Sequence, residues 1–269
     1  MPIVRNSFIQ MSKLTNLKGR INYISSHARQ ENLYAVYETT DRIFWTELAK
    51  CNQEEFMRSG TEGKCIEARE LIIALPESFV DYEPDKLLKL FTEHFKQNYD
   101  VECISALHHN KRKTNYHIHL IFSERKLLDE PVEKIATRNM FYDETGKHVR
   151  TKKEILDEAG QLRSGCKIIP RGEVYERNIF TIKDSRFKSD CFLDEVKWSY
   201  TDLINIYVRD DKEKLKVFDK NGVYLPMKKV GKNNPKAEQI EADNRVRTMW
   251  NQTVDRALVS GVPEKQILE

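Results

Sequence analysis

Long apolar runs, closely spaced cysteines and a strong net charge are all missing from this 269-residue sequence. No stretch approaches the roughly 20 apolar residues that a transmembrane helix needs, and the N-terminal segment MPIVRNSFIQ lacks the apolar run of a signal peptide. The five cysteines include no CxxC pair, so neither a zinc knuckle nor a disulfide framework is indicated. We therefore expect a cytoplasmic protein with reduced thiols and no insertion into a membrane.

The charge balance is close to neutral, because 45 basic side chains face 42 acidic ones. A net charge of +3 does not by itself identify a protein that binds nucleic acid, so local clusters of charge matter more. Internal repeats and low-complexity linkers are missing too, and 39% hydrophobic with 32% charged residues is typical of a globular protein. We predict one domain over residues 1–269, with a core over about 1–130 and an extension of hairpins and helices over about 131–269.

The first half of the chain predicts a β-α-β-β core. Strand-like segments lie at 68–76, 101–108 and 116–124, and a helix at 84–98 separates the first two. Behind Pro84, which is favoured at a helix start, apolar side chains recur at helical spacing: Leu87, Leu88, Phe91 and Phe95. The segment IVRNSFIQM predicts one more strand, and LKGRINYIS predicts a short helix after it.

The second half gives three weaker structural predictions. FYDETGKHVR is expected to form a surface hairpin, and Asn221-Gly222 between two apolar runs predicts a second hairpin. A last helix is expected to start near Pro235 and to carry an apolar stripe of Val246, Trp250, Val254 and Leu258.

Histidines on two successive strands form the pattern that indicates chemistry. In YHIHLIF, strand alternation sends His117 and His119 to one face of the sheet. A third imidazole can come from His108 or His109, at the end of the preceding strand. A single sheet histidine is usually a packed side chain. Three neutral imidazoles together leave the charge of a divalent cation, and some of its coordination positions, available to a phosphate.

These residues resemble the HUH endonuclease superfamily and, more narrowly, the relaxases of the MobA/MobL mobilisation family. The family's signature is a His followed eight residues later by HxH, and His109, His117 and His119 match it, with Tyr116 where a proline is common. The segments FWTELAKCNQEEF, EARELIIALPE and NRVRTMWNQTVDRALVSG are also similar to the family. The resemblance, clearest over residues 5–125, implies an α+β fold with a central antiparallel β-sheet flanked by helices. It also implies that His109, His117 and His119 bind Mg²⁺ or Mn²⁺.

The resemblance further implies a nucleophilic tyrosine near the N-terminus, in a Gly-Arg segment that KGRINYIS matches with Tyr23. The predicted helix keeps Tyr23 off its apolar stripe, which fits a nucleophile that must be exposed. That stripe consists of Leu17, Ile21 and Ile24. The alternatives are Tyr34, Tyr37 and His27.

Further site residues follow from the same interpretation. Glu70 is predicted to orient a ligand histidine, with Glu67 a weaker candidate and an ordinary ion pair the alternative for both. Basic segments predicted to contact DNA comprise Lys111, Arg112, Lys113, Lys147, Arg150, Lys152, Lys153, Lys228, Lys229 and Lys232. Each basic segment alone is more often a solvated surface. Phe141 and Tyr142 are candidates to stack on bases.

The implied function is that of a relaxase, which nicks single-stranded DNA at an origin of transfer and forms a 5′-phosphotyrosyl intermediate for mobilisation of a plasmid or transposon. Its expected partners are that DNA, with an adjacent hairpin, an accessory DNA-binding protein and the coupling protein of a secretion system. The protein is expected to act in the bacterial cytoplasm and to be able to travel with the DNA.

Three rival interpretations stay open at this point. A replication initiator of the same superfamily would use a tyrosine after the histidines, for which the candidates are Tyr142, Tyr175, Tyr200 and Tyr207. A non-catalytic module that binds single-stranded DNA would use the histidines structurally. A hydrolytic metallonuclease would leave no protein attached to its product.

Overall fold

The computed structural model describes residues 4–231 and 233–268. In chain order the strands are β1 Arg5–Asn6, β2 Ile9–Leu14, β3 Leu33–Glu38, β4 Ala68–Leu75, β5 Cys103–His109, β6 Tyr116–Phe122, β7 Leu127–Ile135, β8 Met140–Tyr142, β9 His148–Val149, β10 Lys167–Ile169, β11 Val174–Phe180 and β12 Leu215–Lys216. The α-helices are α1 Leu17–Ile24, α2 Arg42–Ser59, α3 Pro84–Tyr99, α4 Phe192–Tyr207, α5 Ala237–Val259 and α6 Glu264–Leu268. Short 3-10 helices lie at Glu77–Asp81, Lys152–Ile155, Ser185–Lys188 and Asp211–Glu213.

A five-stranded sheet in the order β2-β4-β6-β5-β3 forms the centre of the fold, and every neighbouring pair in it is antiparallel. The predicted β-α-β-β core is present as β4, α3, β5 and β6. The N-terminal strand is present mainly as β2, a little later in the chain than predicted, and the edge strand β3 was not among the predicted strands. The predicted α+β fold class, with a central antiparallel sheet flanked by helices, is confirmed.

Helices α3 and α4 cover one face of this sheet. The apolar stripe predicted for α3 is buried against Leu71, Ile118 and Leu120 of the central strands. Proline occupies the start of α3, and Asp100, which has a left-handed backbone at φ 52°, ends it. The shared core of strands and helices fixes which face of every strand turns towards α3.

Helices α1 and α2 cover the opposite face. Their buried side chains pack on the residues that alternate with the α3-facing set: Ala68, Ile104, Ala106 and Ile121. The segment FWTELAKCNQEEF, which resembles the family, lies in α2, and its Trp45 lies in this core. The sheet is therefore buried on both faces, and any polar group on it has to be paired or functional.

Phe95 illustrates how strongly the α3 face depends on aromatic packing. Its side chain is fully buried, with ring centroids 4.7 Å from Phe122 and 4.6 Å from Tyr99. We expect Phe95→Ala to lower the free energy of unfolding by about 3–5 kcal/mol, because it removes apolar contacts and leaves a cavity. Urea denaturation would measure this, with Gln97→Ala on the exposed side of α3 as the control. Equal stability of the two variants would contradict this packing.

The chain after β6 forms smaller units. Strands β7 and β11 pair into an antiparallel ribbon, and β8 lies between β10 and β9 in a three-stranded sheet. The hairpin predicted in FYDETGKHVR is present as β8 and β9. Strand β12 pairs with β1 in parallel, so the segment after α4 returns to the beginning of the chain.

The hairpin predicted at Asn221-Gly222 was wrong. These residues lie in a turn in which the Gly222 N–H donates to the Asp219 carbonyl, and neither residue has the positive φ that a type I′ hairpin turn requires. The following segment bonds to α5 instead of forming a strand: Trp250 Nε1 donates to the Val223 carbonyl, and the Leu225 N–H donates to Asn251. Side chains of α5 thus satisfy the backbone groups that a second strand would have used.

The predicted last helix is present as α5, which starts two residues after Pro235. Of its predicted apolar stripe only Val254 is buried, whereas Val246 and Trp250 are exposed. No helix among the described residues is both long enough and apolar enough to cross a membrane.

Candidate metal and nucleophile site

Helix α1 is fixed on the sheet by its apolar side and by two caps at its N-terminus. Leu17, Ile21 and Ile24 are buried, as predicted. The Asn16 side chain accepts from the Gly19 N–H, and Glu67 Oε2 accepts from the Leu17 N–H at 2.7 Å. A carboxylate at this end also interacts favourably with the helix dipole. Glu67 thus anchors α1 and does not orient a histidine.

Tyr23 lies on the outer side of α1, where 44% of it is exposed. Its neighbours on the helix connect it to the sheet. Arg20 lies three positions earlier, so the two side chains are adjacent on the helix surface, and its guanidinium carbon is 5.3 Å from the centre of the Tyr23 ring. An exposed tyrosine ring therefore lies beside a guanidinium that also bonds Glu70 of the sheet.

The register of β5 and β6 decides which histidines meet. His108 pairs with His117, and Ala106 pairs with His119. Directly paired residues of adjacent strands project to the same face, so His108, His117 and His119 share the face that α1 and α2 cover. Their ring centroids are 5.9 Å apart for 108–117, 5.1 Å for 108–119 and 4.8 Å for 117–119. We call these three side chains the histidine cluster.

His109, the third ligand implied by the family signature, lies on the other face. It pairs with Tyr116, and its ring packs on that side chain at a centroid distance of 4.7 Å. Its nitrogens contact the Tyr34 hydroxyl and Glu77. His109 therefore lies apart from His117 and His119, and His108 takes the place beside them that the family signature gave to His109. Because side chains alternate along a strand, adjacent residues cannot serve the same face.

Hydrogen bonds fix the tautomers of the cluster. His117 Nδ1 lies 3.0 Å from the Asn115 carbonyl and His119 Nδ1 lies 2.9 Å from Glu70 Oε1, so each Nδ1 carries the hydrogen and donates it to oxygen. His108 bonds to the backbone of Ile24, and its Nε2 is buried without a partner among the described residues. The Nε2 atom of His108 is therefore free among the described residues, and the Nε2 atoms of His117 and His119 face each other.

The pKa values agree with neutral rings. Burial and the neighbouring imidazoles lower the pKa of His108 to about 3. Burial also lowers the pKa of His117. Both imidazoles are thus unprotonated at neutral pH, which is the form that binds a metal.

Glu70 binds the Nδ1 side of the His119 ring, and Arg20 binds Glu70. Burial tends to raise the pKa of the Glu70 carboxyl, but the hydrogen bonds and charges of His119 and Arg20 outweigh it and lower the pKa overall. Arg20 Nε lies 2.9 and 3.0 Å from the two Glu70 oxygens, and Nη2 forms a 2.8 Å ion pair with Oε1. Arg20 Nη2 also lies 3.2 Å from His119 Nδ1. Because Nδ1 already donates its hydrogen to Glu70, these two nitrogens are both donors and do not bond each other. Glu70 is thus in contact with His119, one of the histidines that were predicted to bind a metal.

The histidine cluster has two ring nitrogens at the spacing of metal ligands, but its side chains as placed do not form a complete metal site. As they stand, no three His, Cys, Asp or Glu side chains among residues 4–231 and 233–268 could hold a metal ion. The Nε2 atoms of His117 and His119 are nevertheless 3.1 Å apart, and two nitrogens each about 2.1 Å from one metal ion would be roughly 3.0–3.4 Å apart. Two facing lone pairs repel unless a proton or cation lies between them. The neighbouring imidazole on the same face is His108, whose Nε2 has no partner among the described residues.

The predicted basic residues divide into three groups. Lys111, Arg112 and Lys113 are exposed on the β5–β6 loop, whose Asn115 carbonyl bonds His117, so this loop adjoins the cluster. A second group lies in or next to the three-stranded sheet of β8, β9 and β10, which comes after β6 in the chain. All of its members are exposed: Lys147, Arg150, Lys152 and Lys153. Lys228 forms an ion pair with Asp243 of α5, Lys229 is exposed nearby, and Lys232 lies outside the described residues.

The alternative nucleophiles are placed less favourably. Tyr34 bonds His109 on the opposite face, and Tyr37 donates to Glu93, which raises its pKa to about 12. Tyr200 is buried and donates to the Phe91 carbonyl. Tyr142 and Tyr175 belong to β8 and β11, beyond the central sheet, and Tyr207 ends α4 on the α3 side of that sheet. His27 is exposed just beyond α1.

Sequence reasoning missed Arg20 and passed over His108. Arg20 stands one helical turn before Tyr23, and that spacing is the signal that could have drawn attention to it. His108 could have been found from strand alternation, but only if the pairing of β5 with β6 across the six-residue loop 110–115 had been known.

The depressed histidine pKa values predict an acid-sensitive fold in metal-free protein. A folded pKa below the ordinary 6.5 means that the unfolded chain binds protons first as pH falls, so the free energy of unfolding decreases below that pH. Glu70 acts in the same direction below its ordinary 4.5. We expect the urea midpoint of chelator-treated protein to fall through this range, and less steeply for His108→Asn. Parallel pH profiles of the two proteins would contradict this.

Comparison with known proteins identifies the family. The model of the MobA/MobL family matches residues 52–267, well over half of the chain. No curated protein matches the chain. A solved structure described as "Molecular Basis of Vancomycin Resistance Transfer in Staphylococcus aureus" is 12% identical, with a TM-score of 0.43 and coverage of 79% of this chain and 97% of that one.

The match therefore confirms the resemblance found in the sequence and assigns the chain to the mobilisation relaxases. Within that class, this chain belongs to the MobA/MobL family. Family membership implies binding of DNA at an origin of transfer.

Proposed function

We propose that this chain nicks one DNA strand at an origin of transfer by transesterification, with Tyr23 as the nucleophile. One observation carries the proposal. His117 and His119 each donate Nδ1–H to an oxygen and face each other through Nε2, and the Nε2 of His108 beside them has no partner among the described residues. They lie on the sheet face that is covered by α1, the helix that carries the exposed Tyr23. A structural histidine cluster would be expected to satisfy its ring nitrogens within the protein.

His108, His117 and His119 would hold a divalent cation, which when bound supplies a Lewis acid for the scissile phosphate. Imidazole nitrogen is a softer donor than the oxygen ligands that Mg²⁺ prefers, so we expect Mn²⁺ to bind more tightly than Mg²⁺. Glu70 keeps His119 in the tautomer that exposes Nε2, because its ionised carboxylate accepts from Nδ1.

Tyr23 would attack the phosphorus through its hydroxyl oxygen. The new bond joins that oxygen to phosphorus, the bond from phosphorus to the 3′-oxygen breaks, the phenolic proton passes to solvent and the departing oxygen becomes a 3′-OH. The product is a 5′-phosphotyrosyl protein. Since one phosphodiester replaces another, the step is reversible and permits later rejoining. An ordinary phenol has a pKa of about 10, so its proton must be removed during the attack.

Arg20 would position Tyr23 with respect to the cluster. Its guanidinium is held by both oxygens of Glu70, which in turn holds His119, and it lies beside the Tyr23 ring. The backbone bond from His108 to Ile24 makes a second connection from the cluster to the same helix. Movement of α1 would therefore disturb both the nucleophile and the ligands.

Single-stranded DNA would approach along the β5–β6 loop. Lys111, Arg112 and Lys113 are exposed there, and hydrogen bonds of Asn110 with Lys113, Thr114 and Asn115 hold the loop in one shape. A fixed basic loop next to the cluster suits the phosphates on one side of the cut. The hairpin beside the nick site, the accessory protein and the coupling protein belong to the same proposal as partners. We also propose that the chain is encoded by a plasmid or a transposon.

The test uses labelled single-stranded oligonucleotides that tile the origin of transfer of the host element. The whole protein is incubated with each of them, with Mn²⁺, Mg²⁺ or a chelator, and run on a denaturing gel. We expect a slowly migrating covalent species with the protein on the 5′ end of the downstream fragment, formed only with metal. Cleavage without attached protein would favour a hydrolytic nuclease, and binding without cleavage would favour a binding module. Either result would overturn the proposal.

A further inference from the structure

The face of the sheet opposite the histidine cluster carries a second polar group near the same end of β5 and β6. His109 is nine-tenths buried as a side chain, its Nε2 lies 3.2 Å from Glu77 Oε2, and its Nδ1 lies 3.0 Å from the Tyr34 hydroxyl. A carboxylate only accepts, so Nε2 carries the hydrogen, Nδ1 is the acceptor and the Tyr34 hydroxyl donates to it. The chain Glu77–His109–Tyr34 thus ends at an exposed aromatic ring.

Tyr34 is held firmly although 41% of it is exposed. Its ring makes edge contacts with His109 at 5.5 Å and with Tyr116 at 5.7 Å between centroids, in addition to the hydroxyl bond. An exposed tyrosine normally loses rotational freedom when it binds a ligand. Here that freedom is already lost, so the ring is prepared for contact with a flat partner.

The basic β5–β6 loop lies between this ring and the histidine cluster. On one side its Asn115 carbonyl bonds His117 of the cluster. On the other side Asn32, two residues before Tyr34, donates to the Asn110 carbonyl and accepts from the His109 N–H. A strand whose phosphates follow Lys111, Arg112 and Lys113 therefore passes from the cluster towards Tyr34.

We propose that Tyr34 is a stacking platform for an unpaired base of the DNA strand, on the side of the basic loop away from the histidine cluster. This inference rests on the proposed function, because it takes single-stranded DNA as the substrate. The partner is a base and not a phosphate, since the half-exposed carboxylate of Glu77 lies beside the platform and repels phosphate. Single-strand-binding proteins commonly combine a basic track with aromatic rings that accept bases.

The test measures binding apart from cleavage. Fluorescence anisotropy of the whole protein, in a chelator, is recorded with the tightest-binding single-stranded oligonucleotide of the origin region. We expect Tyr34→Ala to weaken binding by about tenfold, because stacking on an aromatic ring contributes about that much per base. Tyr34→Phe keeps the ring and should stay within about threefold of wild type, on the same energy scale. Tyr175→Ala, at another exposed tyrosine, is the control and should bind normally.

Two further measurements separate stacking from general damage. The loss in Tyr34→Ala should be the same at low and high salt, whereas alanine at Lys111, Arg112 and Lys113 should reduce the salt dependence. Abasic nucleotides are also introduced one at a time along the oligonucleotide. At one position the abasic nucleotide should weaken DNA binding by the wild type, and at that position it should cause no further loss of binding by Tyr34→Ala.

Normal binding by Tyr34→Ala, or a loss that no abasic position reproduces, would overturn the stacking proposal. The covalent-adduct assay is independent of this result. Adduct formation by a Tyr34→Ala protein that binds normally would refute the platform alone, whereas Tyr34-dependent binding without any adduct would refute the nicking reaction alone.

Discussion

Tyr23→Phe is expected to abolish the covalent protein–DNA species while leaving the fold and DNA binding close to wild type. The substitution removes one oxygen from a side chain that is already 44% exposed, so it creates no cavity. Without that oxygen no phosphotyrosyl bond can form, and we expect at least a roughly thousandfold loss of strand cleavage, as for the removal of other enzymatic nucleophiles. The measurement is the denaturing gel with the cleavable oligonucleotide, together with anisotropy for binding.

Tyr34→Phe is the matched control, because it removes the hydroxyl of a tyrosine with similar exposure on the opposite face of the sheet. It should form the adduct at a rate near that of wild type. Persistence of the adduct in Tyr23→Phe would show that another residue attacks. Mass spectrometry of the adduct would then identify that residue, with Tyr34, Tyr37 and His27 the first to examine.

The second large effect is expected at His108. In His108→Ala we expect a loss of Mn²⁺ affinity and a fall in cleavage of about 10²–10⁴-fold, because loss of a ligand removes several kcal/mol of Lewis-acid stabilisation. His109→Ala should bind Mn²⁺ as wild type does, since its imidazole lies on the other face of the sheet. Isothermal titration with Mn²⁺ and the cleavage assay measure the two quantities separately.

This pair of variants is a direct test of the proposed ligand set. Both substitutions remove an imidazole from adjacent positions of β5, so general weakening of the strand should affect them alike. Urea denaturation of both variants controls for stability. If His109→Ala lost Mn²⁺ binding and His108→Ala retained it, the spacing of eight residues would be the correct guide and the present assignment would fail.

The third histidine of the cluster is the feature that sequence reasoning could not place. The HxH motif fixed His117 and His119 on one face, because alternation within a single strand is a local property. The relation of β5 to β6 is not local. It depends on how the loop Asn110–Asn115 closes, and a shift of one residue turns every side chain of a strand to the other face. The family spacing matched His109, but the observed pairing puts His108 opposite His117.

Much of the architecture could be predicted because its helices and strands have clear local sequence patterns. The apolar repeat behind Pro84 predicted α3, and the buried segments before and after it predicted β4, β5 and β6. The Asn221-Gly222 turn failed because its outcome depended on α5, more than 20 residues away, whose side chains took the backbone hydrogen bonds of a second strand. Strand β3 was missed because a short edge strand has weak periodicity of its own.

The sequence by itself determined that this is an α+β protein with two histidines on one sheet face and an exposed tyrosine on a short helix. Those properties follow from the periods of a strand and a helix, which need no knowledge of distant contacts. Only the tertiary structure decided that His108 completes the cluster and that Arg20 links Tyr23 to Glu70 and His119. The contacts of Arg20 with Glu70 and His119 join residues 50 and 99 positions apart. Strand pairing and helix packing bring such residues together, so the histidine cluster and Tyr23 become neighbours of one arginine only in the folded protein.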